Sequence, residues 1–358
     1  LSFQNRYGVF DRLLHRIAFA TPGAQRGSAD LEARMFRAEL EAFEPGPPVL
    51  VTALPRAGTT MLLELLAATP EFAAHSYRDM PFVLCPMVWS RLSRPFQRDY
   101  APRERAHGDG IEVGPDSPEA FEEMLWKAFF KPHYRGATLP VWRSCDESDF
   151  VDFYAQHRRK VIALRRRVTP SRCRYVSKNN ANIARLPAIW RAVPDAIVVV
   201  PFREPVQHAA SLLRQHQKFC RMHDDDAFVR RYMAGIGHHD FGRDLKPIDF
   251  GGWFADRTIE QADKLEFWLE YWRRAYRHIL TQTGQRQLHL VRFESLDGRR
   301  DLTPLADLVQ MEDPTALTSQ AARLRPVADR DVDLEGVPAA LVDDCRALYD
   351  ELNEAARI

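Results

Sequence analysis

The sequence predicts an α/β protein in which a central parallel sheet lies between layers of helices. Three observations predict it. Apolar runs at Val49–Val51, near Tyr175, at Val198–Val200 and near Leu290 are short and unbroken, as strands buried on both faces require. Strand and helix patterns alternate along the chain, which favours parallel pairing with helical crossovers. Two of the strands run directly into a loop and an amphipathic helix, so a ligand is expected at the carboxyl ends of the strands.

Residues 1–45 hold two helical stretches, one marked by Phe10, Leu13, Leu14 and Ile17, the other by Leu31, Met35, Leu40 and Phe43. The break at Pro45-Gly46-Pro47-Pro48 ends them. They are expected to form a helical extension packed on a main domain of residues 46–358, with a homodimer contact as their other use. From Val49 the order is strand, helix, a helical insertion over about 71–152, a strand near Tyr175, the helix Ala184–Ala192 and a strand near Val199. A helix opened by Pro205 follows, then a second insertion over about 221–260, the helix from about Glu260 to Leu280, the strand near Leu290 and closing helices. Ser117-Pro118 is expected to cap and open a helix. Trp126, Tyr134 and Trp142, and Phe267, Trp268, Tyr271, Trp272 and Tyr276 of the later helix, are expected mainly as core.

The first strand leads through Thr52-Ala53-Leu54-Pro55-Arg56-Ala57-Gly58-Thr59-Thr60 into a helix. Backbone N–H groups of Ala57, Gly58, Thr59 and Thr60 would gather at that helix N-terminus, where unpaired donors and the helix dipole favour an anion. Against the nucleotide-triphosphate pattern G-x-x-x-x-G-K-[ST], Ala53 replaces the first glycine and Thr59 the lysine. That lysine normally reaches the outer phosphates, so triphosphate chemistry is disfavoured. The cation sits inside the loop instead, as Arg56, whose planar fork suits phosphate or sulfate oxygens.

The second motif is Val198-Val199-Val200-Pro201-Phe202-Arg203-Glu204-Pro205, with Ser211 a little over two helical turns beyond Arg203. Together the two motifs resemble the phosphate loops of sulfotransferases: Pro55-Arg56-Ala57-Gly58-Thr59-Thr60 is similar to the P-R-S-G-T-T loop of the bacterial and Golgi branches, with Ala57 in place of serine. Arg203, Pro205 and Ser211 resemble the family's R-x-P…S segment. The resemblance spans about residues 49–300 and implies a three-layer, P-loop-like fold. It implies transfer of a sulfuryl group from 3′-phosphoadenosine 5′-phosphosulfate to an acceptor hydroxyl by in-line attack, with adenosine 3′,5′-bisphosphate as product and no metal. It assigns Arg56 and the loop amides to the 5′-phosphate, Arg203 and Ser211 to the 3′-phosphate, and Lys178, in Tyr175-Val176-Ser177-Lys178-Asn179, to the reacting sulfuryl group. Val291-Arg292-Phe293-Glu294-Ser295-Leu296 resembles the family's R-[YF]-E-D-L, where Glu294 is expected to hold a loop or cap.

The insertion at 71–152 is where acceptor specificity is expected. Asp79, some twenty residues after Arg56, is the first candidate for the general base, as tyrosylprotein-type members carry a carboxylate there; His107 and Asp109 in a glycine-flanked loop are the alternatives. The acceptor is expected to be a carbohydrate or other small molecule. A P-loop small-molecule kinase and a non-catalytic nucleotide-binding protein remain as other readings.

Composition suits one large α/β domain with additions, or two modest domains. The 358 residues carry 50 basic and 49 acidic side chains, a balance that argues against nucleic acid as partner. Cys85, Cys145, Cys173, Cys220 and Cys345 are scattered, so neither a disulfide framework nor a zinc site is expected and a cytoplasmic, reducing compartment fits. No apolar run is long enough to span a membrane. The chain starts at Leu1, and a removed N-terminal anchor stays open.

Overall fold

The computed structural model describes residues 22–94, 103–104, 112–145, 148–167, 173–284, 286–296, 301–324 and 329–358. In chain order its principal elements are α1 (Pro22–Met35), α2 (Arg37–Glu41), β1 (Gly46–Val51), α3 (Thr59–Ala67), β2 (Phe72–Ala73), α4 (Pro86–Ser93) and α5 (Glu122–Phe129). Then come α6 (Ser148–Arg165), β3 (Arg174–Lys178), α7 (Leu186–Ala192), β4 (Ile197–Phe202), α8 (Pro205–Asp225) and α9 (Ala227–Gly235). The chain closes with α10 (Leu265–Leu280), β5 (Leu288–Arg292), α11 (Thr303–Leu308), α12 (Pro314–Thr318) and α13 (Ala339–Ala355). A short antiparallel ribbon pairs Arg103–Glu104 with Glu112–Val113.

The sheet order is β2-β3-β1-β4-β5, and every pairing is parallel. The protein is therefore α/β, with a five-stranded parallel sheet covered by helices. Successive side chains of a strand point to opposite faces. Val49, Val51, Ile197 and Val199 accordingly pack with Leu62, Leu63 and Leu66 of α3 and Leu305 of α11. Leu50, Val198 and Val200 join the other layer with Leu212 of α8 and Trp268 and Trp272 of α10. Burial on both faces is why these strands read as continuous apolar runs. The β2 strand escapes a sequence reading because two residues have no pattern.

The aromatics expected as core are core. Trp126, Tyr134 and Trp142 are buried, and the Arg185 guanidinium stands 4.7 Å from the Trp126 ring centre and 4.9 Å from that of Trp142. On α10, Phe267, Trp268, Tyr271, Trp272 and Tyr276 are all buried, and the Tyr276 hydroxyl donates to the Pro201 carbonyl at 3.0 Å, fixing the end of β4.

Two local expectations are corrected. The helical stretch before β1 is interrupted at Phe36, which lies between α1 and α2, and Leu31 and Met35 are exposed while Leu40 and Phe43 are buried. The buried face of α1 carries Gln25, Ala29 and Glu32 instead. Glu32 is held there by Lys160 at 3.0 Å and by the Val88 amide at 2.6 Å, so a charge on the buried face misleads an apolar count. Ser117 also does not cap a helix, since α5 starts at Glu122. Its hydroxyl accepts from the Gly114 amide at 2.9 Å and closes a turn.

Candidate active site at the carboxyl ends of the strands

The loop after β1 is built on buried residues. Ala53, Leu54 and Ala57 are enclosed, so the methyl of Ala57 faces the core and not the opening. Arg56 has φ 72° and Gly58 φ 95°, two left-handed residues that fold the chain back over the start of α3. Gly58 is required on steric grounds as well: a Cβ there would lie 2.5 Å from Phe293 Cδ2. As N-cap of α3, Gly58 supplies no side chain to occupy the first-turn amides, which leaves them for an anion.

The second loop stands beside the first. Arg203 follows β4 and Lys178 ends β3, and β3 and β4 are the two neighbours of β1. Lys178 lies opposite Val51 in the register. The two cations therefore flank the β1 loop on opposite sides. Arg56 Nε donates to Ser211 Oγ at 3.3 Å, which joins the loop after β1 to the helix after β4. His208, one turn before Ser211, reaches the Pro55 carbonyl with Nε2 at 2.8 Å. Burial above all, opposed by that hydrogen bond but helped by the nearby charges of Arg203 and Arg56, brings the His208 pKa down to about 3, so the ring is neutral and Nε2–H is the donor.

Arg203 is buried, and its guanidinium stands 5.3 Å from the centre of the Phe293 ring that also covers Gly58. Its pKa is lowered first by burial and further by Arg56, against the raising effect of Glu294, Asp329 and Glu204. Arg214 is lowered by burial and by Arg330, Arg203 and Arg56. Four guanidinium groups thus share one corner, an arrangement that favours a multiply charged anion. Sequence reasoning found two of the four. Arg214 follows Gln207 and Ser211 along one face of α8, a helical spacing that could have signalled it. Arg330 gives no such signal, because it arrives from far along the chain. Its backbone is held by the Gln207 side chain, which donates to the Arg330 carbonyl at 2.8 Å and accepts from the Arg330 amide at 3.1 Å. Glu294 holds a loop: it accepts from the Glu204 amide at 3.0 Å and from the Tyr349 hydroxyl at 3.0 Å.

Around Lys178 the backbone is fixed by buried polar contacts. Ser177 donates to Glu122, and Asn179 Nδ2 donates to Glu123 Oε2 at 2.7 Å, both acids on α5. Asn180 ties this segment to the phosphate loop, since its carbonyl accepts from Thr52 Oγ1 and its Oδ1 from Thr59 Oγ1, each at 3.3 Å. Thr59 is buried and spends its hydroxyl there, whereas Thr60 is partly exposed beside it.

Asp79 does not stand in this site as a base would. It is 2% exposed, its Oδ2 accepts from the Ser76 amide at 3.0 Å and lies 2.9 Å from His75 Nδ1, and its Oδ1 pairs with Arg165. Burial pushes its pKa up, but the His75 hydrogen bond, the charges of Arg165 and His75 and the Ser76 amide outweigh that and hold it below the ordinary value. With both oxygens engaged and its basicity lowered, this carboxylate is better suited to holding the fold than to accepting an acceptor proton. His107 and Asp109 lie outside the described residues.

A cleft of about 560 Å³ opens elsewhere, lined by His133, Arg143, Asp249 and His278 among others, and none of the phosphate-loop residues lines it. The chemistry argues for the strand ends over this cleft, because a site for a nucleotide needs the converging cations and helix amides that gather there. Among the described residues no helix is long and apolar enough to cross a membrane.

The profile of the family described as "Sulfotransferase family" matches residues 47–245, which include both loops and Lys178. Solved structures similar to this one include sulfotransferase STF9 from Mycobacterium avium, 12% identical, with a TM-score of 0.55 and coverage of 99% of this chain and 88% of that one. Sulfotransferase STF1 from Mycobacterium tuberculosis H37Rv is 14% identical, with a TM-score of 0.45 and coverage of 82% and 75%. At such identity the likeness to STF9 is one of fold. A search of curated proteins found no match.

Proposed function

The chain belongs to the sulfotransferase family, and from that premise we propose that it transfers a sulfuryl group from 3′-phosphoadenosine 5′-phosphosulfate to a hydroxyl of a carbohydrate or other small molecule. The observation that carries the reading is the contact between Arg56 and Ser211, which joins two phosphate-type elements into one site. A mononucleotide phosphorylated at one end needs only the α3 terminus. A donor phosphorylated at both ends gives work to the buried Arg203 and its guanidinium neighbours too.

In this reading the 5′-phosphate lies against the first-turn amides of α3 with Arg56, and the 3′-phosphate against Arg203 and Ser211, with Arg214 and Arg330 adding charge. Lys178, on the other side of β1 from Arg203, faces the sulfuryl group. As the acceptor oxygen attacks sulfur, negative charge grows on the oxygen that bridges sulfur to the 5′-phosphate. A lysine ammonium and the helix amides there stabilise the leaving bisphosphate more than the ground state. The acceptor comes from the Lys178 side, where the insertions at 71–152 and 221–260 provide the walls. In this reading the main domain of 46–358 carries the chemistry.

Mass spectrometry of reactions with the phosphosulfate donor and a panel of glycosides and phenols tests the function. The expected product is the acceptor plus one sulfuryl group, formed together with adenosine 3′,5′-bisphosphate. Release of the bisphosphate with no acceptor modified across the panel would count against transfer.

A further inference from the structure

The turn after α9 brings an imidazole and a carboxylate to the Lys178 side of the strand ends, and neither has a part in the phosphate contacts. His238 Nε2 lies 3.7 Å from Asp240 Oδ2. The same Asp240 Oδ2 accepts from Asn180 Nδ2 at 2.9 Å, and Asn180 is the residue that holds Thr59 at the phosphate loop. The turn is locked in place from a second direction. Gly237, at φ 80°, packs so closely on α5 that a Cβ would meet Glu123 Cγ at 2.7 Å. Glu123 in turn holds Asn179, the neighbour of Lys178. The residues before His238 and after Lys178 are therefore fastened to one side chain, which brings His238 and Lys178 together.

Resting on the sulfuryl-transfer reading, we propose that His238 is the general base that takes the acceptor proton, and that Asp240 acts through its nearby charge to stabilise the protonated form. His238 Nδ1 is buried, while its ring keeps 18% of its surface, and Nε2 is the nitrogen on the side of the carboxylate. The step balances without a further reactant. The acceptor O–H proton passes to Nε2 as the acceptor oxygen forms its bond to sulfur. The sulfur–oxygen bond to the 5′-phosphate breaks, and its electron pair leaves on the bisphosphate beside Lys178. His238 stacks on Phe219 of α8, ring centres 5.5 Å apart and 9° from parallel, which fixes the imidazole plane.

The charged and titratable groups facing His238 are Asp240 on its own turn, Lys178 at the end of β3, Glu119 before α5, His223 on α8 and the adjoining His239. Burial lowers the His238 pKa most, Lys178 lowers it further, and Asp240 and Glu119 raise it. A neutral imidazole is the active form of a base. Activity should accordingly fall as pH drops below the ordinary histidine value of 6.5, and Asp240→Asn, by removing a raising charge, should move that acid limb to still lower pH.

The test measures turnover with the best acceptor from a panel of phenols and glycosides, and affinity for adenosine 3′,5′-bisphosphate by calorimetry. His238→Ala and His238→Gln should lower kcat by about 10²–10⁴-fold. Both should leave bisphosphate affinity within about twofold, since His238 is outside the phosphate contacts of this account. Asp240→Asn should lower kcat less and shift the acid limb of kcat/KM downward. Loss of bisphosphate binding in both His238 variants would make the residue structural and overturn the proposal. So would near-normal kcat in either, or a larger loss in Asp240→Asn or Glu119→Gln than in His238→Ala. A wild-type protein that binds the bisphosphate but sulfates no acceptor would overturn the transfer reading itself, a result distinct from failure of the base assignment.

Discussion

Gly58→Ala probes the loop geometry with a single methyl group. Two costs follow from the structure. An alanine at φ 95° is left-handed, which costs an L-residue about 1–2 kcal/mol. Its Cβ would also sit 2.5 Å from Phe293 Cδ2 and 2.7 Å from Cε2, an overpacking cost of about 1–3 kcal/mol. The sum is about 2–5 kcal/mol of stability, and the distorted loop should also weaken adenosine 3′,5′-bisphosphate binding. The assay is urea unfolding of wild type, Gly58→Ala, Phe293→Ala and the double variant. Truncating Phe293 removes the collision but not the backbone strain, so Gly58→Ala should cost only about 1–2 kcal/mol in that background. An equal cost in both backgrounds would refute the steric part of the reasoning, and a cost near zero in wild type would refute both parts.

Arg203→Ala should weaken adenosine 3′,5′-bisphosphate binding by roughly 1.5–3 kcal/mol with little change in kcat, because the contact exists before and during transfer; calorimetry and saturation kinetics read the two apart. Lys178→Ala should lower kcat on the order of a hundredfold or more and leave bisphosphate affinity nearly unchanged, with single-turnover kinetics as the check. Asp79→Asn should cost about 3–5 kcal/mol in unfolding free energy, as expected for breaking a buried ion pair, while the folded fraction keeps binding the bisphosphate. The Asp79 pKa is lowered on folding, so its contribution to stability is complete above its ordinary value of 3.8 and is lost as pH falls through the folded value. Acid unfolding curves of the Asp79→Asn variant should therefore lack that share of the pH dependence.

What could be read from the sequence was what is local. β1, β3, β4 and β5 announced themselves by buried apolar runs, and the two phosphate elements by strand, loop and helix in direct succession. Lys178 was singled out only by the family resemblance, and the fold sets it at the end of β3, beside β1. The features that escaped depend on segments meeting from far apart. Arg330 reaches the guanidinium corner through Gln207, 123 residues away. The distance of Asp79 along the chain from Arg56 says nothing about His75 and Arg165, which engage both of its oxygens. His238 and Asp240 stood in an insertion with no motif, and it takes contacts such as those of Asn180 and Glu123 to connect them to the site. The exposed Leu31 and Met35 teach the same lesson, since the buried Lys160–Glu32 pair turned the face of α1.

In the proposed function, one site holds a nucleotide by phosphates at both ends. Calorimetric titration of the full chain with adenosine 3′,5′-bisphosphate and, in parallel, with AMP tests it most directly. The bisphosphate should bind at least about tenfold more tightly, with the difference lost in Arg203→Ala, since one charge-assisted contact is worth roughly 1.5–3 kcal/mol. Equal affinity for the two nucleotides in the wild-type protein would contradict it.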